Sequence, residues 1–179
     1  MIKINLEITL KKTLFIIFLF VCSCTLLFAQ VELKVGDKAS LKLAKLIQAP
    51  IENINSVDEL KGKVLLLEFW ATWCAPCIKA FPHLNELKSK FKNSDFEIIA
   101  ITYEKEETVK KKLRENPLNA WIGLNEDKYL FFEYAIQGIP QTFLVDKSGI
   151  IVERLRPSEV TEDKIKKLLS GKATTVKSN

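Results

Sequence analysis

Histidine and cysteine are both scarce in this chain of 179 residues. It contains one histidine, His83, and four cysteines, of which Cys22 and Cys24 fall in an apolar N-terminal segment. Only Cys74 and Cys77 remain for the rest of the chain, at C-x-x-C spacing. A structural zinc site needs four ligands, so the lack of a second cysteine or histidine pair argues against zinc. The C-x-x-C pair favours dithiol redox chemistry instead.

A strong excess of one charge is also missing. The formal net charge is +5, and it falls to +3 without residues 1–29, which leaves 24 basic and 21 acidic residues. The lysines are interspersed with glutamates, as on a solvated surface. This balance gives no reason to expect nucleic-acid binding. The length is sufficient for one domain with a sizeable core.

Residues 1–29 have the pattern of a secretory signal peptide. Lys11 and Lys12 precede the apolar run Leu14–Val21, and Ala29 supplies a small residue for cleavage. We therefore predict export to the periplasm or cell envelope. A dithiol outside the cytosol needs a supply of electrons to stay reduced.

Two other interpretations of this segment remain open. The run Leu14–Ala29 could be retained as a membrane anchor, although about 20 apolar residues are needed to span a bilayer. Alternatively, the residues up to Cys24 loosely resemble a lipoprotein signal. All three interpretations place the folded domain outside the cytosol.

The remaining chain is organised around Val64–Pro82, which reads VLLLEFWATWCAPCIKAFP. Its apolar start predicts a strand buried on both faces. A helical pattern begins after Pro76, a residue that suits the first turn of a helix. Cys74 is thereby expected at the helix N-terminus, where unpaired N–H groups and the helix dipole stabilise a thiolate. Cys77, one turn later, is expected to resolve a mixed disulfide formed at Cys74.

Two motifs resemble those of one known family. Residues 69–77 read FWATWCAPC, and residues 138–146 read GIPQTFLVD. Together they resemble the TlpA-like, thioredoxin-fold, extracytoplasmic thiol-disulfide oxidoreductases over about residues 62–169. The resemblance implies an α/β, thioredoxin-like fold, in which helices flank a central mixed β-sheet, with an N-terminal extension and a central insertion at residues 105–134. It also implies a cis peptide bond before Pro140.

The predicted domain organisation combines these motifs with the surrounding patterns. We expect an N-terminal extension at residues 30–61, a thioredoxin-like domain at 62–170 and a polar tail at 171–179. Within the extension, Ser56 and Glu59 have the spacing of a capping box and predict a helical turn. Elsewhere the patterns predict helices at 77–91, 106–114, 129–134 and 161–169, and strands at 64–70, 96–102, 121–124, 141–145 and 150–154.

Glu68 is an acid within the apolar strand, six residues before Cys74. A carboxyl group buried there without a partner is costly, and its pKa is expected to rise. The family resemblance implies a catalytic role, because thioredoxin has a buried aspartate at the matching position. Glu68 would then accept a proton from Cys77 and return it. The alternative is an acid at the strand end whose carboxylate reaches water.

Substrate binding is expected from residues around the C-x-x-C turn and from the second motif. In the family, the residue matching Pro140 leaves the backbone of Ile139 free to pair with an extended peptide. Trp73 is expected to form an apolar docking surface, while Ala75 and Pro76 separate the two cysteines. Their Ala-Pro dipeptide resembles the Gly-Pro of thioredoxin, which favours a reductase. A structural turn remains the alternative for Pro140.

The leading functional hypothesis is an enzyme, a protein thiol-disulfide oxidoreductase. A peroxiredoxin-like peroxidase would need a P-x-x-x-T-x-x-C setting, and Val64–Ala71 contains no proline. A copper-binding protein on the same fold typically uses C-x-x-x-C with a distant histidine, whereas His83 is only six residues beyond Cys77. We interpret His83 as an ordinary surface residue.

The predicted partners are proteins that contain disulfides or dithiols, with apocytochrome c as one candidate. An upstream membrane electron donor is expected to keep the protein reduced. We expect no metal and no cofactor other than the redox-active Cys74–Cys77 disulfide. We also expect a monomer that does not bind nucleic acid.

Overall fold

The computed structural model of the protein describes Lys12 and residues 32–171. Apart from Lys12, the predicted signal peptide lies outside the described residues, as does the polar tail beyond Gly171. The main described segment belongs to a compact unit that begins at Glu32. In the described part of the chain no helix is both long enough and apolar enough to cross a bilayer.

A six-stranded mixed sheet forms the centre of this unit. The spatial order of its strands is β1-β4-β3-β2-β5-β6. The three strands β2, β3 and β4 are parallel, whereas β1, β5 and β6 each run antiparallel to a neighbour. The predicted mixed sheet is thus confirmed. The strands are β1 (Lys45–Ile47), β2 (Val64–Phe69), β3 (Phe96–Thr102), β4 (Trp121–Leu124), β5 (Gln141–Val145) and β6 (Ile151–Leu155).

Strand β2 is buried along its whole length because both faces of the sheet are covered. Its even-numbered apolar residues, Val64 and Leu66, belong to one hydrophobic cluster. Its odd-numbered residues belong to a second cluster on the opposite face. This division follows the two-residue alternation of a strand. It explains why an apolar run, rather than alternating polar and apolar residues, forms this strand.

Helices cover both faces of the sheet. Within residues 32–171 they are α1 (Ala75–Lys90), α2 (Glu106–Glu115), α3 (Tyr129–Glu133) and α4 (Glu162–Leu169). Side chains from α1, α2 and α4 pack in the cluster of Val64 and Leu66. Side chains from α3 and from the N-terminal extension pack in the other cluster. The central insertion supplies α2, β4 and α3, so it contributes both to the sheet and to its cover.

Helix α1 begins within two residues of its predicted start and carries the C-x-x-C pair on its first turn. Cys74 is the N-cap, and Pro76 lies in the first turn, where a missing N–H is tolerated. The helix continues past Pro82 to its end at Lys90. Lys88 and Lys90 lie in the last turn, next to the negative end of the helix dipole. The buried side chains of the helix are Cys77, Phe81, Leu84 and Leu87.

The N-terminal extension, which the sequence leaves largely unassigned, adds β1 to the sheet edge beside β4. A 3₁₀ turn at Val57–Leu60 stands where the capping-box spacing predicts a helical turn, with Ser56 as N-cap. In a capping box, Ser56 Oγ would accept a hydrogen bond from the backbone N–H of Glu59. Here Ser56 Oγ accepts from the backbone N–H of Asp58, as the tighter winding of a 3₁₀ turn allows.

Gly123 in β4 allows the extension to approach the sheet closely. A Cβ atom at this position would lie 2.6 Å from Cδ1 of Leu43, a buried residue of the extension. We therefore expect Gly123→Ala to lower the free energy of unfolding by about 1–3 kcal/mol, the usual cost of overpacking a core. Urea denaturation of the full-length protein measures this change.

The partner substitution tests the cause. In a Leu43→Ala background, Gly123→Ala is expected to cost much less, because the added methyl group then fills vacated space. Gly138→Ala serves as a control, since a Cβ atom there meets nothing within 4 Å. Equal costs of Gly123→Ala in both backgrounds would show that contact with Leu43 is not the reason for this glycine.

Candidate active site

Cys74 and Cys77 form a disulfide at the N-terminus of α1. The Cα atoms of the two cysteines are 5.3 Å apart. The backbone N–H of Cys77 donates to Cys74 Sγ at 3.3 Å, so the sulfur of the N-cap residue faces the first turn of the helix. Both cysteines are buried in this oxidised form, with 2% and 1% of their surface exposed.

The loop that leads into Cys74 is held by a carboxylate from the neighbouring loop, which follows β3. Glu104 Oε2 accepts from the backbone N–H of Thr72 at 2.5 Å, and Glu104 Oε1 accepts from Thr72 Oγ1 at 2.6 Å. Thr102 Oγ1 donates to the same carboxylate at 3.3 Å. Charge-assisted hydrogen bonds of this kind are stronger than neutral ones. They therefore fix the backbone two residues before Cys74.

Sequence reasoning did not identify Glu104. A signal was available, because Glu104 follows the end of β3 and Thr72 follows the end of β2. These two strands are parallel and adjacent, so polar residues beyond their carboxyl ends meet at one edge of the sheet. Their proximity follows from the pairing of β2 with β3, which the pattern of a single strand does not specify.

The two tryptophans flanking the turn have different environments. Trp70 is fully buried and packs edge-to-face on Phe81 of α1, with ring centroids 5.2 Å apart. Trp73 is 66% exposed immediately before Cys74. Its aromatic side chain is therefore accessible at the surface beside the disulfide. Ala75 and Pro76, in the first turn of α1, are also exposed.

Glu68 is buried beneath α1, with 1% of its surface exposed. By the alternation of β2, its side chain lies on the same sheet face as Val64 and Leu66, the face that Cys77 also covers. Thr142 is its cross-strand partner in β5 and donates from Oγ1 to Glu68 Oε2 at 2.5 Å. The other carboxyl oxygen, Oε1, has no hydrogen-bond partner among the described residues.

Burial raises the pKa of Glu68 to about 8, because the charged form loses its hydration. The hydrogen bond from Thr142 acts in the opposite direction, since it favours the carboxylate, but its effect is smaller. Glu68 is therefore mainly protonated at neutral pH. Its burial rules out the alternative of a strand-end acid in contact with water.

Ile139 and Pro140 lie immediately before β5, and the peptide bond between them is cis. They border an open groove of about 680 Å³ that also includes Pro76 of α1. Three of the five residues predicted to bind substrate are thus brought together. Trp73 and Ala75 do not line this groove and lie in the turn beside it.

His83 differs from its interpretation as an ordinary surface residue. Its side chain is partly buried, and Nε2 lies 2.9 Å from the carbonyl oxygen of Val160. Val160 precedes α4, so the contact joins α1 to the segment before the last helix. The sequence could not indicate this contact, because the two residues are far apart in the chain.

A metal site is not apparent in the part of the chain that the structure describes. Within Lys12 and residues 32–171, no group of three or more histidine, cysteine, aspartate or glutamate side chains is arranged to hold a metal ion.

The sheet topology and the C-x-x-C disulfide at a helix N-terminus define a thioredoxin-fold thiol-disulfide oxidoreductase. Residues 35–154 match the AhpC/TSA family, and the chain belongs to that family. It is 31% identical to the thiol-disulfide oxidoreductase ResA of Bacillus cereus over 135 residues, which are 71% of this chain and 77% of that protein. It is 33% identical to ResA of Bacillus subtilis over 98 residues, or 54% and 55% of the two chains.

Solved structures agree with this assignment. The thioredoxin domain of a thiol-disulfide oxidoreductase from Bacteroides vulgatus is 27% identical, with a TM-score of 0.62 over 78% of this chain and 98% of that domain. A thiol:disulfide interchange protein from a Bacteroides species is 26% identical, with a TM-score of 0.63 over 78% of this chain and 93% of the other. The predicted thioredoxin-like fold and oxidoreductase class are confirmed.

The raised pKa of Glu68 predicts how stability depends on pH. The folded protein keeps this proton up to about pH 8, while the unfolded chain releases it near pH 4.5, so the folded state binds more protons in between. Stability is expected to fall as pH rises through this window, by up to about 1.4 kcal/mol per pH unit. Glu68→Gln is expected to remove this slope and to be more stable than the unsubstituted protein above about pH 8.

Urea denaturation of the oxidised protein at a series of pH values measures the slope. Glu107→Gln is the matched control, because Glu107 is an exposed acid on α2. Its slope is expected to equal that of the unsubstituted protein. If Glu68→Gln shows the same pH dependence as this control, Glu68 does not titrate with a raised pKa.

Proposed function

We propose that the protein is a reductase of disulfide bonds in exported proteins, with Cys74 as nucleophile and Cys77 as resolving thiol. The observation that carries the proposal is the position of Cys74 as the N-cap of α1, where the N–H of Cys77 donates to its sulfur. Hydrogen-bond donors and the helix dipole stabilise a thiolate at such a position. The thiolate is the reactive form of cysteine.

In the first step, the Cys74 thiolate attacks one sulfur of a client disulfide. A mixed disulfide forms, the client S–S bond breaks, and the second client sulfur leaves as a thiolate that takes up a proton. The exposed ring of Trp73 and the backbone of Ile139 would contact the client during this attack. An extended client segment can pair with an exposed backbone in the manner of an added strand.

In the second step, Cys77 loses its proton and attacks the sulfur of Cys74. The Cys74–Cys77 disulfide forms, the mixed disulfide breaks, and the first client sulfur leaves as a thiolate that takes up a proton from solvent. Two electrons have then passed from the protein to the client, and the two protons gained by the client balance those lost by Cys74 to solvent and by Cys77 to its base. We assign the acceptance of the Cys77 proton to the ionised fraction of Glu68, whose side chain lies on the sheet face covered by α1.

Regeneration reverses these steps with a different partner. An upstream dithiol donor would attack the Cys74–Cys77 disulfide, and the departing sulfur of Cys77 would take a proton. The raised pKa of Glu68 suits this half-reaction, since the buried carboxyl group holds a proton at neutral pH in the oxidised protein. A carboxyl group whose pKa is about 8 can therefore accept a proton in one half-reaction and donate it in the other.

The direction of electron flow and the location are further parts of the proposal. The Ala75-Pro76 dipeptide supports a reductase, because it resembles the Gly-Pro of thioredoxin. The N-terminal pattern of residues 1–29 supports export with cleavage after Ala29, so that an electron donor at the membrane would be needed. Candidate clients are exported proteins with reducible cysteine pairs, among them apocytochrome c.

Trapping tests the assignment of the two cysteines and identifies the clients. In the host cell, Cys77→Ser is expected to accumulate client proteins as mixed disulfides at Cys74, because resolution is blocked. Mass spectrometry of the trapped complexes names the clients. Cys74→Ser is the matched control, and trapping by Cys74→Ser but not by Cys77→Ser would reverse the assigned roles.

The role of Glu68 predicts a selective kinetic defect. In Glu68→Gln, attack by Cys74 is expected to proceed at nearly the normal rate, while resolution by Cys77 slows by roughly 10²–10⁴-fold. Stopped-flow kinetics would then show the mixed disulfide accumulating. Normal resolution in this variant would mean that Glu68 does not transfer the proton.

A further inference from the structure

A cationic rim surrounds the groove beside the disulfide. Lys79 on α1, Arg154 on β6 and Arg156 just beyond β6 all line this groove, and all three side chains are exposed. Lys79 is more than 70 residues from the two arginines in the sequence. The segments that carry them meet where β5 starts and β6 ends. Because β5 and β6 are antiparallel, these two ends are adjacent.

No acidic side chain lines the same groove. Its other polar side chains are Gln137, Gln141 and Ser158, and the rest are apolar or lack a side chain. The acids nearest in sequence to the two arginines form no ion pair with their guanidinium groups. Glu159 Oε2 accepts from the backbone N–H of Arg156 at 2.6 Å, and Glu153 forms an ion pair with Lys164.

The three cations are also free of intramolecular ion pairs within the described residues. Nine lysines of this part of the chain have a carboxylate within 4 Å, but Lys79, Arg154 and Arg156 are not among the paired residues. Arg154 is nevertheless held in place. Its guanidinium lies 5.4 Å from the ring centroid of Phe143 and donates to the carbonyl oxygen of Ala135 at 3.3 Å. A positioned cation without an anionic partner is available to a ligand.

We propose that this groove selects client segments that carry aspartate or glutamate close to the reacting cysteine. This inference rests on the proposed function and specifies its substrate class. The groove adjoins the reactive turn, since Pro76 stands between the two cysteines and also lines the groove with Ile139 and Pro140. A client cysteine placed at Cys74 would therefore bring its neighbouring residues over Lys79, Arg154 and Arg156.

The physical basis is charge complementarity along an otherwise neutral groove. Each exposed ion pair contributes modestly, so two acidic client residues are expected to change the rate of reduction by roughly fivefold. The effect is expected mainly in the rate of encounter and docking, and salt should weaken it. The chemistry at the cysteines would stay the same for acidic and neutral clients.

Matched peptides test the proposal with the purified, reduced full-length protein. Each peptide has one internal disulfide, and the flanking residues are two glutamates, two glutamines or two lysines. We expect the second-order rate constant to be roughly fivefold higher for the glutamate peptide than for the glutamine peptide, and lowest for the lysine peptide. Raising the salt concentration to about 0.5 M is expected to make the three rate constants nearly equal, because salt screens the charges.

Substitutions then assign the preference to the groove. In Lys79→Gln/Arg154→Gln/Arg156→Gln, the glutamate-to-glutamine rate ratio is expected to fall close to one. Because Arg154 packs on Phe143, the double variant Lys79→Gln/Arg156→Gln provides a second test if the triple variant does not fold, and its ratio is expected to fall in the same direction.

The control variant has the same loss of charge elsewhere on the surface. It is Lys61→Gln/Lys92→Gln/Lys111→Gln, in which the exposed lysines precede β2, follow α1 and lie on α2. None of the three lines the groove. This variant is expected to keep the preference for the glutamate peptide. An equal loss of preference in the control would overturn the proposal in favour of net charge.

Other outcomes separate this proposal from the proposed function. Equal rates for glutamate and glutamine peptides, with both reduced, would overturn the acidic preference and leave the reductase activity standing. Failure to reduce any peptide or a small neutral disulfide would instead contradict the reductase activity itself. Binding to phosphatidylglycerol vesicles that requires Lys79, Arg154 and Arg156, with no peptide preference, would assign the rim to a membrane surface and overturn the proposal.

Discussion

The pairing of β2 with β5 is the constraint on which the candidate site depends. The two strands are antiparallel, with Glu68 opposite Thr142 and Phe69 opposite Gln141. This register places the end of β2, which leads into Cys74, beside the start of β5, which follows Pro140. A slip of one residue would turn Glu68 to the opposite face of the sheet. The burial of β2 on both faces makes such a slip costly, because every side chain of the strand is in a core.

Two opposing effects set the pKa of Glu68 in strand β2. Burial disfavours the charge on Glu68, and the hydrogen bond from Thr142 favours it, with burial the larger effect. The resulting pKa of about 8 is close enough to neutrality for the group to gain and lose a proton in a reaction cycle. The same burial means that Glu68 lowers the free energy of unfolding at alkaline pH. A buried acid retained at such a cost is a common feature of functional sites.

The reactive turn has two different neighbours, one from the loop after β3 and one from the segment before β5. Glu104 holds the backbone at Thr72 through two charge-assisted hydrogen bonds. On the other side, the groove joins the first turn of α1 to Ile139 and Pro140. Glu104 thus holds one side of the turn, whereas the groove on the other side is open. The cationic rim lies on the open side, where the proposed selection among clients would take place.

Local patterns in the sequence determined the buried strand β2 and the helix that starts near Cys74, because each depends on neighbours within a few residues. They located an acid in that strand, but only the structure decided between a buried Glu68 and a strand-end acid that reaches water. The family motifs added the thioredoxin-like fold. Only the tertiary structure brings Glu104 to Thr72 and places the cationic rim along the groove. It also shows that His83 is partly buried, whereas the sequence suggested a surface residue. These contacts join residues that are 32 or more positions apart. They depend on strand order and register, which no local pattern encodes.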